Sequence, residues 1–401
     1  MDKLFERHDS YLSYVPMEYV RELMGRIDWE ERLVGIRGSK GVGKSTLMLQ
    51  YIKQHYEADD RHVLYCSADM GYFATHTLVD TADRFVREGG KHLFIDEVHK
   101  YPDWSREVKE IYDLHRGLRV VVSGSSLIQL NDGQADLSRR MVMYDMAGLS
   151  FREFLHLYAQ IDIASVTLDE LLEAPNAFCT RVRGVCHPLE FFRRYLQFGF
   201  YPYFFESKAT YLSRLENVVN YIIDVELTGY RALDVGNTRS MKALLQVISR
   251  LPPYEVDIAK LSRATAISRP TVLKYLRHLE EANLLRRVYT NLATITDLQK
   301  PDKLYMDNTN LLYLLSSTSP DVGTVRETFL AQQLASAKHI VEYAGYRKGD
   351  FRVDRDIVIE VGGAGKGFAQ IAGCNRSFVA VDDTETASRG KIPLWAFGFL
   401  Y

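Results

Sequence analysis

Between residues 30 and 150 the chain alternates short apolar runs with polar stretches whose hydrophobic residues recur at helical spacing. Four runs, 32–37, 62–66, 92–95 and 118–122, are β-branched or aromatic and too short for helices. Such runs between helical stretches read as buried parallel strands, and the alternation predicts an α/β domain. From 151 to 250 the helical period dominates. Phe151, Phe154, Leu155 and Tyr158 share one face, as do Phe191, Phe192, Tyr195 and Leu196, up to a break at Gly199-Phe200-Tyr201-Pro202-Tyr203. These aromatic stripes read as helix-packing core rather than as a ligand platform. Leu251-Pro252-Pro253 punctuates the chain. After it, residues 256–267 read as helix then turn, Ser268-Arg269-Pro270-Thr271 opens a second helix with Ser268 as N-cap, and Arg286-Arg287-Val288-Tyr289 follows as a wing-like strand. Beyond residue 311 the pattern predicts a helix over 325–337, strands within 349–354 and 357–361, and an apolar end, 391–401, docked as a strand.

Composition narrows the class. A chain of 401 residues with 46% hydrophobic and 25% charged residues has the make-up of a soluble protein of two or three domains. The expected divisions are 1–150, 151–250, 251–310 and 311–401. A net charge of −2 excludes a uniformly basic nucleic-acid coat, so any DNA contact has to be a local patch. The cysteines Cys66, Cys179, Cys186 and Cys374 are scattered, and Cys179 and Cys186 stand wider apart than a zinc knuckle requires. Buried free thiols in a reducing cytoplasm are the expectation. Residues 1–9 lack the apolar centre of a signal peptide, and no window approaches a membrane span.

The chemistry starts at Gly38-Ser39-Lys40-Gly41-Val42-Gly43-Lys44-Ser45-Thr46, which fits G-x-x-x-x-G-K-[ST], the phosphate-binding loop. Glycines leave the backbone N–H groups free to turn inward around phosphates, and the following helix aims its positive end at them. Lys44 is placed for the β- and γ-phosphates and Ser45 for Mg²⁺. The apolar strand that ends in Asp96-Glu97 is the second half of such a site. Asp96 belongs to the Mg²⁺ shell, and Glu97 is the general base that polarises a water. This base favours hydrolysis over transfer to a small acceptor. Ser123 and Ser125, at the end of the next strand, are candidates to orient the water, or else cap a plain strand-to-helix turn. Arg139 and Arg140 are candidates for an arginine finger, in the same chain or on a neighbouring subunit, or form a surface pair.

With these segments together, the chain resembles predicted bacterial and archaeal AAA+-type ATPases. Residues 96–104, Asp-Glu-Val-His-Lys-Tyr-Pro-Asp-Trp, resemble their extended Walker B region. Ser123-Gly124-Ser125-Ser126 and Leu137-Ser138-Arg139-Arg140 match their sensor and arginine positions, and Leu149-Ser150-Phe151-Arg152-Glu153-Phe154 the start of their lid. The resemblance implies ATP rather than GTP. It also implies a P-loop parallel sheet with a helical lid, a winged helix-turn-helix and a C-terminal nuclease-like α/β domain of unknown function.

Two segments then set the expected partners. Between Tyr254 and Thr290 there are seven Lys/Arg and four acids, a mild excess suited to weak, salt-sensitive phosphate contacts. Arg269, Thr271, Lys274 and Arg277 are the candidates to face double-stranded DNA. The alternative is a scaffold that meets a protein partner or another copy of the chain. In the last domain, Glu327, Asp354 and Glu360 follow the metal-binding layout of PD-(D/E)xK nucleases. The lysine position, however, is Gly362, with Lys366 four residues on. An inactive nuclease-like fold is therefore the expectation. The functions that remain are an Mg²⁺-dependent ATP-hydrolysing switch or motor, an ATP-set signalling scaffold with slow turnover, and an ATP-regulated nuclease.

Overall fold

In the computed structural model the four predicted strands form within one or two residues of their expected ends, as β1 (Leu33–Arg37), β2 (Val63–Ser67), β3 (His92–Asp96) and β4 (Arg119–Gly124). A fifth, β5 (Val142–Asp145), joins them in a wholly parallel sheet of order β2-β3-β4-β1-β5. The first four strands are almost entirely buried, which is why they read as continuous apolar runs. Strand β5 lies at the sheet edge with its residues exposed or half-buried, and its apolar run, Met141 to Tyr144, is only four residues long. The structure describes residues 1–124, 137–231, 234–251, 256–292, 299–316 and 319–401. These form two units, Met1–Gly148 and Leu149–Tyr401.

In the first unit, helices α1 (Asp2–Tyr14), α2 (Lys44–His55), α3 (Leu78–Arg87) and α4 (Trp104–Leu114) accompany the sheet. Leu64, Leu93, Ile95, Val120 and Val122 pack with Phe85, Trp104, Val108 and Ile111 in one core. Elsewhere Trp29 stacks on Tyr51 at 4.0 Å. Strand β2 is the other sheet edge, and unpaired edge N–H groups need cover. Helix α1 supplies it: the Tyr65 N–H donates to His8 Nδ1 at 2.9 Å, and Tyr11 meets the Tyr65 ring edge-on. The register brings the C-terminal ends of the strands to one edge, with Ser67 beside Asp96, and Arg37 beside both Gly124 and Asp145. Every group of the nucleotide motifs that follows a strand lies at that edge.

The second unit opens with helix α5 (Phe151–Ala159), started by a reciprocal capping box between Ser150 and Glu153. Its aromatic stripe packs as core: Phe151 lies 5.2 Å from Phe192 and Phe154 5.6 Å from Tyr195, both on α6 (Pro188–Phe198). The break after α6 is closed by the buried Asn310. Its Oδ1 accepts from Phe200 N–H and the Tyr211 hydroxyl, and its Nδ2 donates to the Tyr195 and Leu196 carbonyls. Helices α7 (Ile258–Thr265) and α8 (Arg269–Glu281) are joined by Ala266 in the left-handed region, and the antiparallel pair β6 (Leu285–Val288) and β7 (Lys303–Met306) follows. Helix α9 (Val322–Ser336) precedes a second sheet of β8 (Val341–Tyr343), β9 (Phe351–Val353), β10 (Ile357–Gly362), β11 (Ser377–Val381) and β12 (Lys391–Pro393), in order β12-β11-β10-β9-β8. The expected terminal strand is only three residues long. Residues Leu394–Phe399 turn into a buried 3₁₀ helix instead, where a Cβ on Gly398 would lie 2.4 Å from Phe151 Cβ. Among the described residues no helix is long and apolar enough to cross a membrane.

Three histidines of the first unit are buried uncharged. Burial lowers His8 to about 4. Burial, helped by Arg119, lowers His92 to about 3. Burial and then Lys44, Lys100 and Lys40 lower His99 to about 3. Unfolded histidine titrates near 6.5, so below that pH the unfolded chain binds protons that the folded one refuses. Their contribution to stability is full above about pH 7 and is lost as pH falls from about 6.5 toward 4. Thermal melts across this range should show a level melting temperature at neutral pH and a steady fall on acidification. A melting temperature that rises on acidification would contradict the assignment of neutral, buried rings.

Candidate nucleotide site

Gly38-Ser39-Lys40-Gly41-Val42-Gly43 links β1 to α2 as a loop around the helix N-terminus. Gly41 and Gly43 hold φ of 87° and 101°, where a side chain is disfavoured. Gly38 is constrained by space, since a Cβ there would lie 2.2 Å from the Met146 carbonyl oxygen. Lys44 is buried, and its ammonium donates back to the Gly38 and Ser39 carbonyls at 2.9 and 3.0 Å. The loop is braced from outside by Arg21, which donates to the Val42 carbonyl at 2.9 Å and to Ala147 and Gly148 at 2.9 and 3.0 Å. Sequence reading missed this arginine, because it lies upstream of every motif.

Asp96 ends β3, almost wholly buried. A buried carboxylate has to be hydrogen-bonded, and the adjacent strands do this. The Ser123 hydroxyl of β4 donates to Oδ1, and the Tyr65 hydroxyl of β2 donates to Oδ2 at 2.7 Å. Ser45 lies beside the same phenol, which brings the two expected Mg²⁺ ligands near each other. The donors are all oxygen, as Mg²⁺ prefers, so the residues fit that ion. Ser123 also accepts from the Glu97 N–H at 3.2 Å, so its hydroxyl shapes the Asp96-Glu97 corner. Ser125 lies outside the described residues.

Glu97 sits at φ 50°, a strained position that turns its side chain off the strand. Its Oε2 is buried and accepts no hydrogen bond among the described residues. His99 Nε2 and Lys100 Nζ stand 3.5 and 3.6 Å away. Burial and the nearby lysines keep His99 neutral there, so it forms no ion pair with the acid. Neither Tyr65 nor His99 was legible as a site residue, since each is an ordinary strand or turn residue until the fold aligns it with Asp96 or Glu97.

Arg139 and Arg140 lie at the other edge of the sheet. They directly precede β5, whose first residue, Val142, pairs with Val34 near the start of β1. At about 3.3 Å per residue, strands of this length put roughly 15 Å between that edge and the P-loop. Arg140 donates to both Asp113 oxygens at 3.1 Å, whereas Arg139 is exposed.

In the second unit, Arg269 and Lys274 of α8 are exposed, Thr271 is half-buried and donates its N–H to the Ser268 cap, and Arg277 is held by Glu281 at 2.8 Å. One expected residue is displaced. Asp354 is not in the nuclease-like layout, because it sits at φ 49° in the turn after β9, accepting from Ile340 N–H and His339. Asp350, at the opposite end of this three-residue strand, faces Glu327, Glu360, Lys303 and Lys366 across a cavity of about 850 Å³.

Residues 30–155 match the family described as an AAA domain, and residues 189–321 match a domain of unknown function, DUF8612. The matches give residues 30–155 an AAA-type P-loop domain and residues 189–321 a domain of unknown function. It is similar to two uncharacterised proteins of Methanocaldococcus jannaschii, 22% and 23% identical over 287 residues each, covering 69% and 68% of this chain. The match spans about 60% of the length of those relatives. Among solved structures, a Walker-type ATPase of Pyrococcus abyssi is 12% identical and aligns over 77% of this chain and 95% of its own, with a TM-score of 0.42. AMPPCP-bound DnaA of Aquifex aeolicus is 17% identical over 65% and 85%, with a TM-score of 0.25.

Removing the Tyr65 hydroxyl leaves one Asp96 oxygen without its donor. Tyr65→Phe should raise the Mg²⁺ concentration needed for half-maximal nucleotide binding by about tenfold, the size of one lost charge-assisted hydrogen bond. Binding of nucleotide in chelator should stay unchanged. A fluorescent-ATP titration at varied Mg²⁺ reads both.

Proposed function

We propose that this protein binds ATP with Mg²⁺ at the P-loop and hydrolyses it. The observation that carries the reading is the Glu97 carboxylate, which keeps a buried, unused acceptor oxygen beside the corner that fixes Asp96. On this reading Lys44 exchanges the Gly38 and Ser39 carbonyls for β- and γ-phosphate oxygens. Ser45 and Asp96 hold the Mg²⁺, which supplies charge neutralisation on the phosphates. Glu97 accepts a proton from water, the water oxygen bonds to the γ-phosphorus, and the bond to the β-bridging oxygen breaks to leave ADP and phosphate.

The position of Arg139 supports a finger that acts on a neighbouring copy, since the length of the strands separates it from its own chain's P-loop. Arg140, paired with Asp113, positions that corner. The helix pair α7–α8 with β6–β7 supports a winged-helix reading in which Arg269 and Lys274 meet DNA phosphates. The competing scaffold reading draws on the pairing of Arg277 with Glu281 and the mild charge excess.

Lys44→Ala should abolish nucleotide binding or turnover. Glu97→Gln should keep ATP bound and lower its hydrolysis about 100-fold or more. Full turnover by Glu97→Gln would remove the base assignment.

Arg139→Ala should lower kcat by roughly 10³. Mixing it with Glu97→Gln protein should restore part of the activity, because only a mixed interface pairs an intact finger with an intact base. No recovery, with ATP binding intact, argues against action between copies. Stimulation of the ATPase by duplex DNA that is lost in Lys274→Ala favours the DNA reading, and no stimulation by any nucleic acid favours the scaffold.

A further inference from the structure

Three carboxylates and two ammonium groups line the cavity of about 850 Å³ in residues 149–401. The nuclease-like layout calls for a divalent metal among those acids, and the residues present do not fit one. Lys303, on β7, projects its ammonium between two of them, 2.9 Å from Glu327 Oε2 and 3.1 Å from Asp350 Oδ1. Its side chain is only 6% exposed, and the ammonium lies 5.1 Å from the Tyr343 ring centroid and 5.9 Å from that of Phe351. The other Asp350 oxygen accepts from Val361 N–H at 2.9 Å. Tyr305 donates to the same Glu327 oxygen at 2.5 Å.

The third acid, Glu360, has its own cation. Lys366 pairs with it from the loop after β10 and also donates to Gln370 at 3.0 Å. The Lys366 methylenes lie 2.6 to 2.8 Å from where a Cβ on Gly362 would be. The lysine thus runs through the space that a side chain at 362 would occupy, which only glycine leaves open. Among the described residues no three Asp, Glu, His or Cys side chains converge to hold a metal.

We infer that Lys303 is the resident cation of this centre: its ammonium stands in the place of the divalent metal, and the cluster is a metal-free ionic latch tying β7 to α9 and the β9–β10 hairpin. A divalent ion entering between Glu327 and Asp350 has to displace a buried ammonium that then has no acceptor, a cost that an empty acidic site would not impose. Burial opposes the lysine charge, but Glu327 and Asp350 outweigh it and hold the ammonium above its ordinary range. Burial and then Asp350 push Glu327 up to about 7, and Arg347 also lines the cavity. This inference is independent of the nucleotide reading, because no residue of it lies in the first unit.

The test is Mn²⁺ binding by the full-length, nucleotide-free protein, followed by isothermal titration or by the loss of free Mn²⁺ signal in electron paramagnetic resonance. Wild-type protein should show no Mn²⁺ site that Asp350→Asn abolishes. Lys303→Met keeps the apolar stem and removes the charge. It should gain one site per chain, at least tenfold tighter than any in wild type, and the second change Asp350→Asn should remove it. Lys303→Arg, which keeps the charge, should gain none. A wild-type Mn²⁺ site lost in Asp350→Asn overturns the inference, as does Mn²⁺-dependent plasmid cleavage lost in Glu360→Ala. A folded Lys303→Met protein that gains no site does the same. If Lys303→Met fails to fold, the wild-type and Asp350→Asn titrations decide alone.

Discussion

A carboxylate at the end of a buried strand is stable only if neighbouring strands donate to it, and Asp96 is held in this way from both sides. Ser123 of β4 and Tyr65 of β2 each cap one of its oxygens, so the site exists only where β2, β3 and β4 are adjacent and in register. The same constraint extends outward. Tyr65 is fixed by the α1 helix through His8 and Tyr11. Ser123 fixes the Glu97 backbone. The P-loop is clamped between Arg21 on one side and the Met146 carbonyl on the other. A change in sheet order would undo these contacts together, although Tyr65, His8, Tyr11 and Arg21 belong to no recognisable motif.

The two ionic centres use the same physics to opposite ends. At the P-loop, Glu97 keeps an acceptor oxygen that takes no hydrogen bond among the described residues, although Lys100 stands 3.6 Å away, and on the proposed reading that unmet capacity is what a reacting water fills. In the second unit each acid already has a protein cation, with Lys303 on Glu327 and Asp350 and Lys366 on Glu360. An ion pair completed within the chain removes the drive to bind an external cation and rigidifies the elements that it joins.

Sequence periodicity located four of the five strands of the first sheet because they are buried on both faces, and it missed β5, a short run whose residues stay exposed or half-buried at the sheet edge. The phosphate-binding loop was legible in full, since its requirements are local: positive φ at Gly41 and Gly43, and a helix start at Lys44. The aromatic stripes were read as core, and they pack as core. The terminal strand was read too long, because packing against Phe151 rather than local propensity turns the chain after Pro393.

The sequence by itself determined the α/β class, the nucleotide motifs and the type of chemistry they can support, because each depends on residues within a few positions of one another. Tertiary structure alone decided which side chains complete those motifs. Asp350 and Asp354 are four positions apart at the two ends of one short strand, and only the hairpin decides which faces Glu360. Lys303 reaches the cluster across 24 residues from Glu327 and 47 from Asp350. Arg139 follows the Walker B acids along the chain, yet parallel pairing puts it on the far edge of the sheet. Contacts between residues distant in sequence are set by strand order and register, which no local pattern encodes.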